Sequence, residues 1–248
     1  MGRAKRNVLL HYHLFKNAGT SVDELLKANF PGGWVTREFD GQPSVVGPQV
    51  ASWIQEEAEA IAFSSHTALF PPPQIDGVRV IPIIFVRHPI DRIASAYAFE
   101  RTQESNSLGS IIAHHTTLQG YIAIRLALPN DRQCRDFHVA RLAQMYPASE
   151  GGELQRAMRA LGNLPFVGLV EEFDASMARL KECLAPVFPE FKVLQVEKNV
   201  TRDRLLSLTD RLHAVEREIG EAFYQELRKV NAADLALFET VKSHYETC

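Results

Sequence analysis

The sequence predicts an α/β fold: one domain with a mostly parallel central sheet flanked by helices. Three observations carry that expectation. Short β-branched or apolar runs alternate with stretches of three-to-four-residue apolar periodicity. Gly and Pro clusters punctuate them, and no internal repeat, low-complexity tract or linker breaks the alternation. At 248 residues, with 46% hydrophobic and 23% charged side chains, the chain can bury one sizeable core and reads as a single domain over 1–248.

Val8 to Leu14 is the first buried strand, preceded by a basic tail, and Thr20 to Asn29 is a helix of about three turns. Phe30-Pro31-Gly32-Gly33 ends that helix, because Pro and Gly do not continue it cheaply. Residues 31–48 are loop with one short strand around Trp34–Thr36. Gln49 to Ala60 follows as helix, and Ile61 to Ser65 as a strand ending at His66. Pro71-Pro72-Pro73 forces an extended surface connection.

Val78 to Val86 is the strongest strand signal, and Pro82 inside it points to an edge position or a bulge. Pro89 suits the first turn of the next helix. On that helix Ile90, Ile93, Ala94 and Tyr97 share a face, which leaves Asp91, Arg92 and Ser95 off the stripe and free to face a cleft. Helices are expected at Leu108–Leu128, Phe137–Tyr146 and Glu153–Leu161, then a strand at Phe166–Val170 and a helix at Glu172–Leu184. From Thr201 the chain reads mostly as amphipathic helix.

Composition excludes several functions. A net charge of -3 argues against wholesale nucleic-acid binding. Three widely spaced cysteines without a CxxC favour a reducing, cytoplasmic location over a disulfide framework. No run has the 18 or so apolar residues that span a bilayer. The Asn199-Val200-Thr201 sequon reads as chance or a turn.

Two segments carry chemistry. In HLFKNAGTS (13–21) a strand enters a Lys- and Gly-containing turn that opens a helix, so backbone N–H groups and the positive helix end attract a phosphate. A Walker loop needs Lys directly before the hydroxyl residue, whereas Lys16 precedes Gly19 by three, which disfavours a nucleoside triphosphatase. Alone, the loop fits a capped helix with a solvated lysine equally well. In IIFVRHPIDRIASAY (83–97), Arg87 at a strand's carboxyl end suits a bidentate grip on phosphate, and Ser95 adds a hydroxyl donor. Alone, Arg87 fits a salt bridge and Ser95 a packing role. Two phosphate sites about 70 residues apart in one α/β domain point to a ligand phosphorylated at both ends.

Together these segments resemble the two nucleotide-binding motifs of the sulfotransferases that use 3'-phosphoadenosine 5'-phosphosulfate (PAPS). The likeness is nearest to the carbohydrate-type branch that includes heparan 2-O-sulfotransferase. That family's first loop runs P-K-T-[GA]-G-T-[ST], and Phe15 and Asn17 depart from it. Its second motif, R-[DH]-P-x-x-R-x-x-S-x-Y, is matched at Arg87, His88, Pro89, Arg92, Ser95 and Tyr97. The likeness touches 8–22, 61–70, 78–99 and 166–201.

The resemblance implies a P-loop-like architecture that binds PAPS and releases adenosine 3',5'-bisphosphate, with no metal. Lys16, Asn17, Ala18, Gly19, Thr20 and Ser21 would hold the 5'-phosphosulfate. Arg87 and Ser95 would hold the 3'-phosphate, and Lys198 and Asn199 would lie in a late loop over the nucleotide. Lys16 would also stabilise charge on the leaving oxygen, and His66, after a central strand, would be the general base. A hydrogen-bonded structural role is the other reading of His66. The acceptor would be a hydroxyl on a sugar or small metabolite, and oligomeric state is left open. A small-molecule P-loop kinase and an inactive nucleotide-binding protein of the same fold are the alternatives. His11 and His13, on one face of a strand, read as core or solvent-exposed histidines, as do His114 and His115. His115 and Arg125 are acceptor contacts by location only.

Overall fold

The computed structural model describes residues 6–193 and 206–246. These fall into two compact units, one of 6–86 with 141–193 and the other of 87–140 with 206–246. The family resemblance at Lys198 and Asn199, and the sequon, lie outside the described residues.

The first unit holds the sheets. β1 (Arg6–Tyr12), β2 (Trp34–Thr36), β3 (Ala62–Ser65) and β4 (Val78–Ile83) form one sheet in the order β2-β3-β1-β4. Every pairing in it is parallel. β5 (Phe85–Val86) pairs in parallel with β6 (Gly168–Leu169). The expected α/β class with a mostly parallel sheet therefore holds. Pro82 sits on β4, the edge strand, where its missing N–H costs no ladder bond.

The side-chain alternation of β1 decides what each face buries. Leu9 pairs with Ala62, and both join Val22, Leu25 and Leu26 of α1 (Gly19–Asn29) in one core cluster. Leu10 pairs with Phe63 on the opposite face, where Trp53 of α2 (Pro43–Glu56) meets Phe63 edge-on at 4.9 Å between ring centroids. Helices thus flank both faces. By the same parity His11 and Ser64, which pair in register, point to the α1 side.

Several boundaries differ from the sequence expectation. Helix α2 starts six residues early, at Pro43 rather than Gln49. Proline fits the first helical turn, and Pro48 forfeits only the one bond to the carbonyl four residues back, while Val46, Val50, Trp53 and Ile54 bury a helical stripe. The run from Val78 to Val86 is two strands, because the chain leaves β1 after Ile83 and pairs with β6 instead. Gly168 is required there, since a Cβ would stand 2.3 Å from a Phe85 ring carbon. α7 (Glu153–Asn163) and α8 (Phe173–Leu184) complete this unit, with Met177, Leu180 and Leu184 in its core.

The second unit is helical. It comprises α3 (Pro89–Glu100), α4 (Leu108–His115), α5 (Leu118–Ala127), α9 (Leu208–Ile219), α10 (Glu221–Val230) and α11 (Ala232–Glu246). α6 (Phe137–Leu142) begins in it. One helix was expected over 108–128; instead Thr117 caps α5 by accepting from the Gly120 amide at 3.2 Å, and α4 ends before it. Ile90, Ile93 and Tyr97 of α3 join Ile112, Tyr121, Ile122, Val215 and Leu227 in this unit's core. Among the described residues no helix is long and apolar enough to cross a membrane.

Candidate functional site

The turn between β1 and α1 is held in an unusual conformation. Lys16 and Ala18 are both left-handed, at φ 62° and 60°, without being glycine. Between them the Asn17 amide donates to the Leu14 carbonyl at 3.1 Å, which closes the turn. Ala18 is the N-cap of α1 and supplies no side-chain cap, so the first-turn amides at Gly19 and Thr20 lack an intrahelical acceptor. Asn17 is buried and its side-chain amide donates to the Phe15 carbonyl at 3.1 Å, which braces the turn. Lys16 and Ser21 are half-buried and Thr20 is exposed. The segment expected to hold a phosphosulfate thus leads into the N-terminus of α1, the kind of helix end that draws an anion.

Gly19 is required for a reason unrelated to its own φ. A Cβ there would stand 2.0 Å from Cδ2 of His13. The His13 ring thus lies directly against the head of α1. The same ring stacks on His66, with centroids 3.9 Å apart and planes at 28°. His66 is thereby brought to the same end of the parallel sheet as the Lys16 loop.

His66 is held from a second direction by Glu38. This carboxylate accepts from the His66 ring Nδ1 at 2.8 Å, from the His66 backbone amide at 3.0 Å and from Thr67 Oγ1 at 2.8 Å. Burial alone would raise the Glu38 pKa, but the bonds from His66 and Thr67 outweigh it and hold the group below the usual carboxylate range. An ionised carboxylate only accepts, so Nδ1 carries the proton and Nε2 presents its lone pair. The His66 side chain is 52% exposed, open to an approaching hydroxyl. An acid–imidazole pairing of this kind can orient a general base.

Behind His13 lies a group that sequence reading missed. Asp23 of α1 accepts from His11 Nδ1 at 2.8 Å through one oxygen and from His13 Nδ1 at 2.9 Å through the other. Ser64 Oγ is 3.1 Å from the same His11 nitrogen. His11 and His13 are therefore neither plain core residues nor solvent-exposed ones; they are tied to one carboxylate. Burial would raise the Asp23 pKa, yet the two imidazole bonds win and drive it far below the ordinary carboxylate range. Burial of the His11 ring outweighs the pull of Asp23 and lowers its pKa. The signal lay in the i, i+2 spacing of His11 and His13, but nothing local pointed to Asp23. Two His and an Asp are also a metal-ligand set. Two ligands bound at 2.0–2.1 Å to one tetrahedral ion sit about 3.3 Å apart, so the observed separations of 2.8 and 2.9 Å are those of hydrogen bonds.

In the second unit, Arg87 Nε donates to Asp91 Oδ2 at 2.8 Å. Arg211 of α9 donates to the other oxygen of Asp91 at 2.8 Å. Asp91 would be raised by burial, but the two guanidinium groups hold its carboxyl below the usual range. One buried carboxylate thus serves two arginines. Asp91 and Arg92, expected to face a cleft, are buried instead. Arg92 is 1% exposed, donates to the Gln133 carbonyl and lies 4.1 Å over the Phe137 ring. Burial pushes its pKa down to about 10. Ser95, on the same helix, is half-buried. Arg125 is a structural ion-pair partner of Glu100 and Asp131, at 3.0 and 2.7 Å, and not an exposed acceptor contact.

A sequence model described as "Sulfotransferase family" matches residues 3–240, running through residues of both units. A protein of Archaeoglobus fulgidus, named only as an uncharacterized protein, is 43% identical over 248 aligned residues. That alignment covers 97% of this chain and 98% of the relative.

Proposed function

The chain belongs to the sulfotransferase family, and from that premise we propose that it moves the sulfuryl group of PAPS to an acceptor hydroxyl. The acceptor would be a carbohydrate or small metabolite, and residues 1–248 would act as one sulfotransferase domain. The observation that carries this reading is the Glu38–His66 pair, set through His13 against the head of the α1 anion turn.

In this reading His66 Nε2 takes the proton from the acceptor hydroxyl as its oxygen forms a bond to sulfur. The sulfur–oxygen bond to the 5'-phosphate breaks in the same displacement. Lys16 and the first-turn amides of α1 meet the charge growing on the departing oxygen, so they stabilise the transition state more than the ground state. Arg87 and Ser95 take the 3'-phosphate, and Asp91 keeps the Arg87 fork aligned. Asn17 supports the turn from inside. Lys198 and Asn199 keep the late-loop role that the resemblance gives them.

Transfer from labelled PAPS to a panel of hydroxyl acceptors tests the proposal. His66→Ala should lower turnover roughly 100-fold or more and leave affinity for adenosine 3',5'-bisphosphate nearly unchanged. Wild-type turnover in that variant would make His66 structural, its other reading.

A further inference from the structure

We propose that His13, fixed by Asp23, is a positioning residue for His66: its ring is the wall that holds the His66 imidazole with Nδ1 on Glu38 and Nε2 outward. The inference deepens the assignment of His66 as the base and rests on that reading.

Three observations lead to it. The Glu38–His66 pair is half exposed, with side chains 48% and 52% accessible. Exposed pairs of this kind hold a geometry weakly, because water competes and both side chains lose rotamer freedom. A catalytic base needs its ring fixed more closely than that. The second hold is the His13 face, stacked at 3.9 Å. His13 itself is confined on its remaining sides. Asp23 binds its Nδ1 at 2.9 Å, the Cα of Gly19 leaves no room behind it, and His11 stacks at 5.3 Å. Among the described residues, the titratable groups in contact with His66 are Glu38 and His13, with Asp23 and His11 one layer behind. The rigidity of β1 and α1 is passed through one ring to a residue at the end of β3.

A glycine is required at 19 to admit the His13 ring. That pairing makes sense if the ring serves His66.

The test is the imidazole tautomer, read by two-bond nitrogen–proton correlation spectra of the full chain with 15N-labelled histidine. Wild-type His66 should show the Nδ1–H tautomer. His13→Ala should lose that signal and return His66 to the mixture of a free imidazole, whereas His13→Phe, which keeps a stacking face, should retain it. Asp23→Asn, which loosens His13 without removing it, should reduce the signal and serves if His13→Ala does not fold. Binding of adenosine 3',5'-bisphosphate, measured in parallel, should be unchanged in His13→Phe. A His66 spectrum identical to wild type in His13→Ala, or in Asp23→Asn where the former does not fold, overturns the proposal. Failure of the base reading is seen separately, as unchanged sulfuryl transfer by His66→Ala.

Discussion

At the scale of single residues, charge placement decides what each side chain can do. In the proposed site Arg87 would meet the 3'-phosphate with its orientation already set by Asp91. Arg87→Ala should therefore weaken adenosine 3',5'-bisphosphate by roughly 1.5–3 kcal/mol and adenosine 5'-phosphate far less, as calorimetric titration of both ligands will read. An equal loss for both would place Arg87 away from the 3'-phosphate. Lys16→Ala should cost about 100- to 1,000-fold in turnover with little change in melting temperature. Lys16 already adopts a left-handed φ without being glycine, so alanine there adds no new backbone strain. Two buried histidines set the acid limit. His11 and His88 are both shifted down, chiefly by burial, His88 to about 4. A lowered histidine pKa means that the unfolded chain binds the proton more readily. Stability is then full above the unfolded value of about 6.5 and falls as the pH drops through the folded values. The melting temperature should decline between about pH 7 and about pH 4. His88→Gln, which does not titrate, should flatten that decline.

At the scale of elements, α3 shows how one helix serves both core and site. Its apolar stripe of Ile90, Ile93 and Tyr97 packs inward, while Asp91 anchors Arg87 from one turn away and Arg211 from α9. Asp91→Ala would leave two guanidinium groups facing each other without their shared carboxylate. Breaking a buried pair this way costs about 3–5 kcal/mol, so denaturant unfolding should show that loss. Asp91→Asn, which keeps an acceptor oxygen, should cost less. In the first unit, β1 plays the matching part. Its odd positions run from Leu9 in the core to His11 at Asp23, and the same alternation carried on brings His13 to the head of α1. A one-residue shift of register would turn both imidazoles away from Asp23.

At the scale of the whole molecule, ligand preference separates sulfotransferase from kinase. Adenosine 3',5'-bisphosphate at 100 times its dissociation constant should stabilise the fold by about 2.7 kcal/mol, read as a thermal shift. ATP with magnesium should give a smaller shift, and sulfuryl transfer should persist in chelator. A strict magnesium requirement would favour the kinase. The family match over 3–240 includes residues of both units.

The sequence by itself determined the α/β class, the parallel order of short strands and helices, and the two segments proposed to hold phosphate. Those properties are local: alternation of β-branched runs and helical stripes, Pro89 at a helix start, Gly19 and Thr20 at another. Only the tertiary structure decided the rest. Two prolines hid the first turns of α2, because proline is as good in a first helical turn as in a loop. The run at 78–86 looked like one strand because its apolar pattern is continuous, while the change of partner at Ile84 depends on β6, more than 80 residues away. Arg92 looked free because its helical position lies off the apolar stripe, yet Phe137 and Gln133 bury it. Glu38, Asp23 and His13 escaped notice as site residues for the same reason. Each acquires its role from a partner on another element, and hydrogen bonds between side chains distant in sequence leave no periodic trace. Residue types and local spacing write the motif, but the orientation of the His66 imidazole is a property of how β1, α1 and β3 meet.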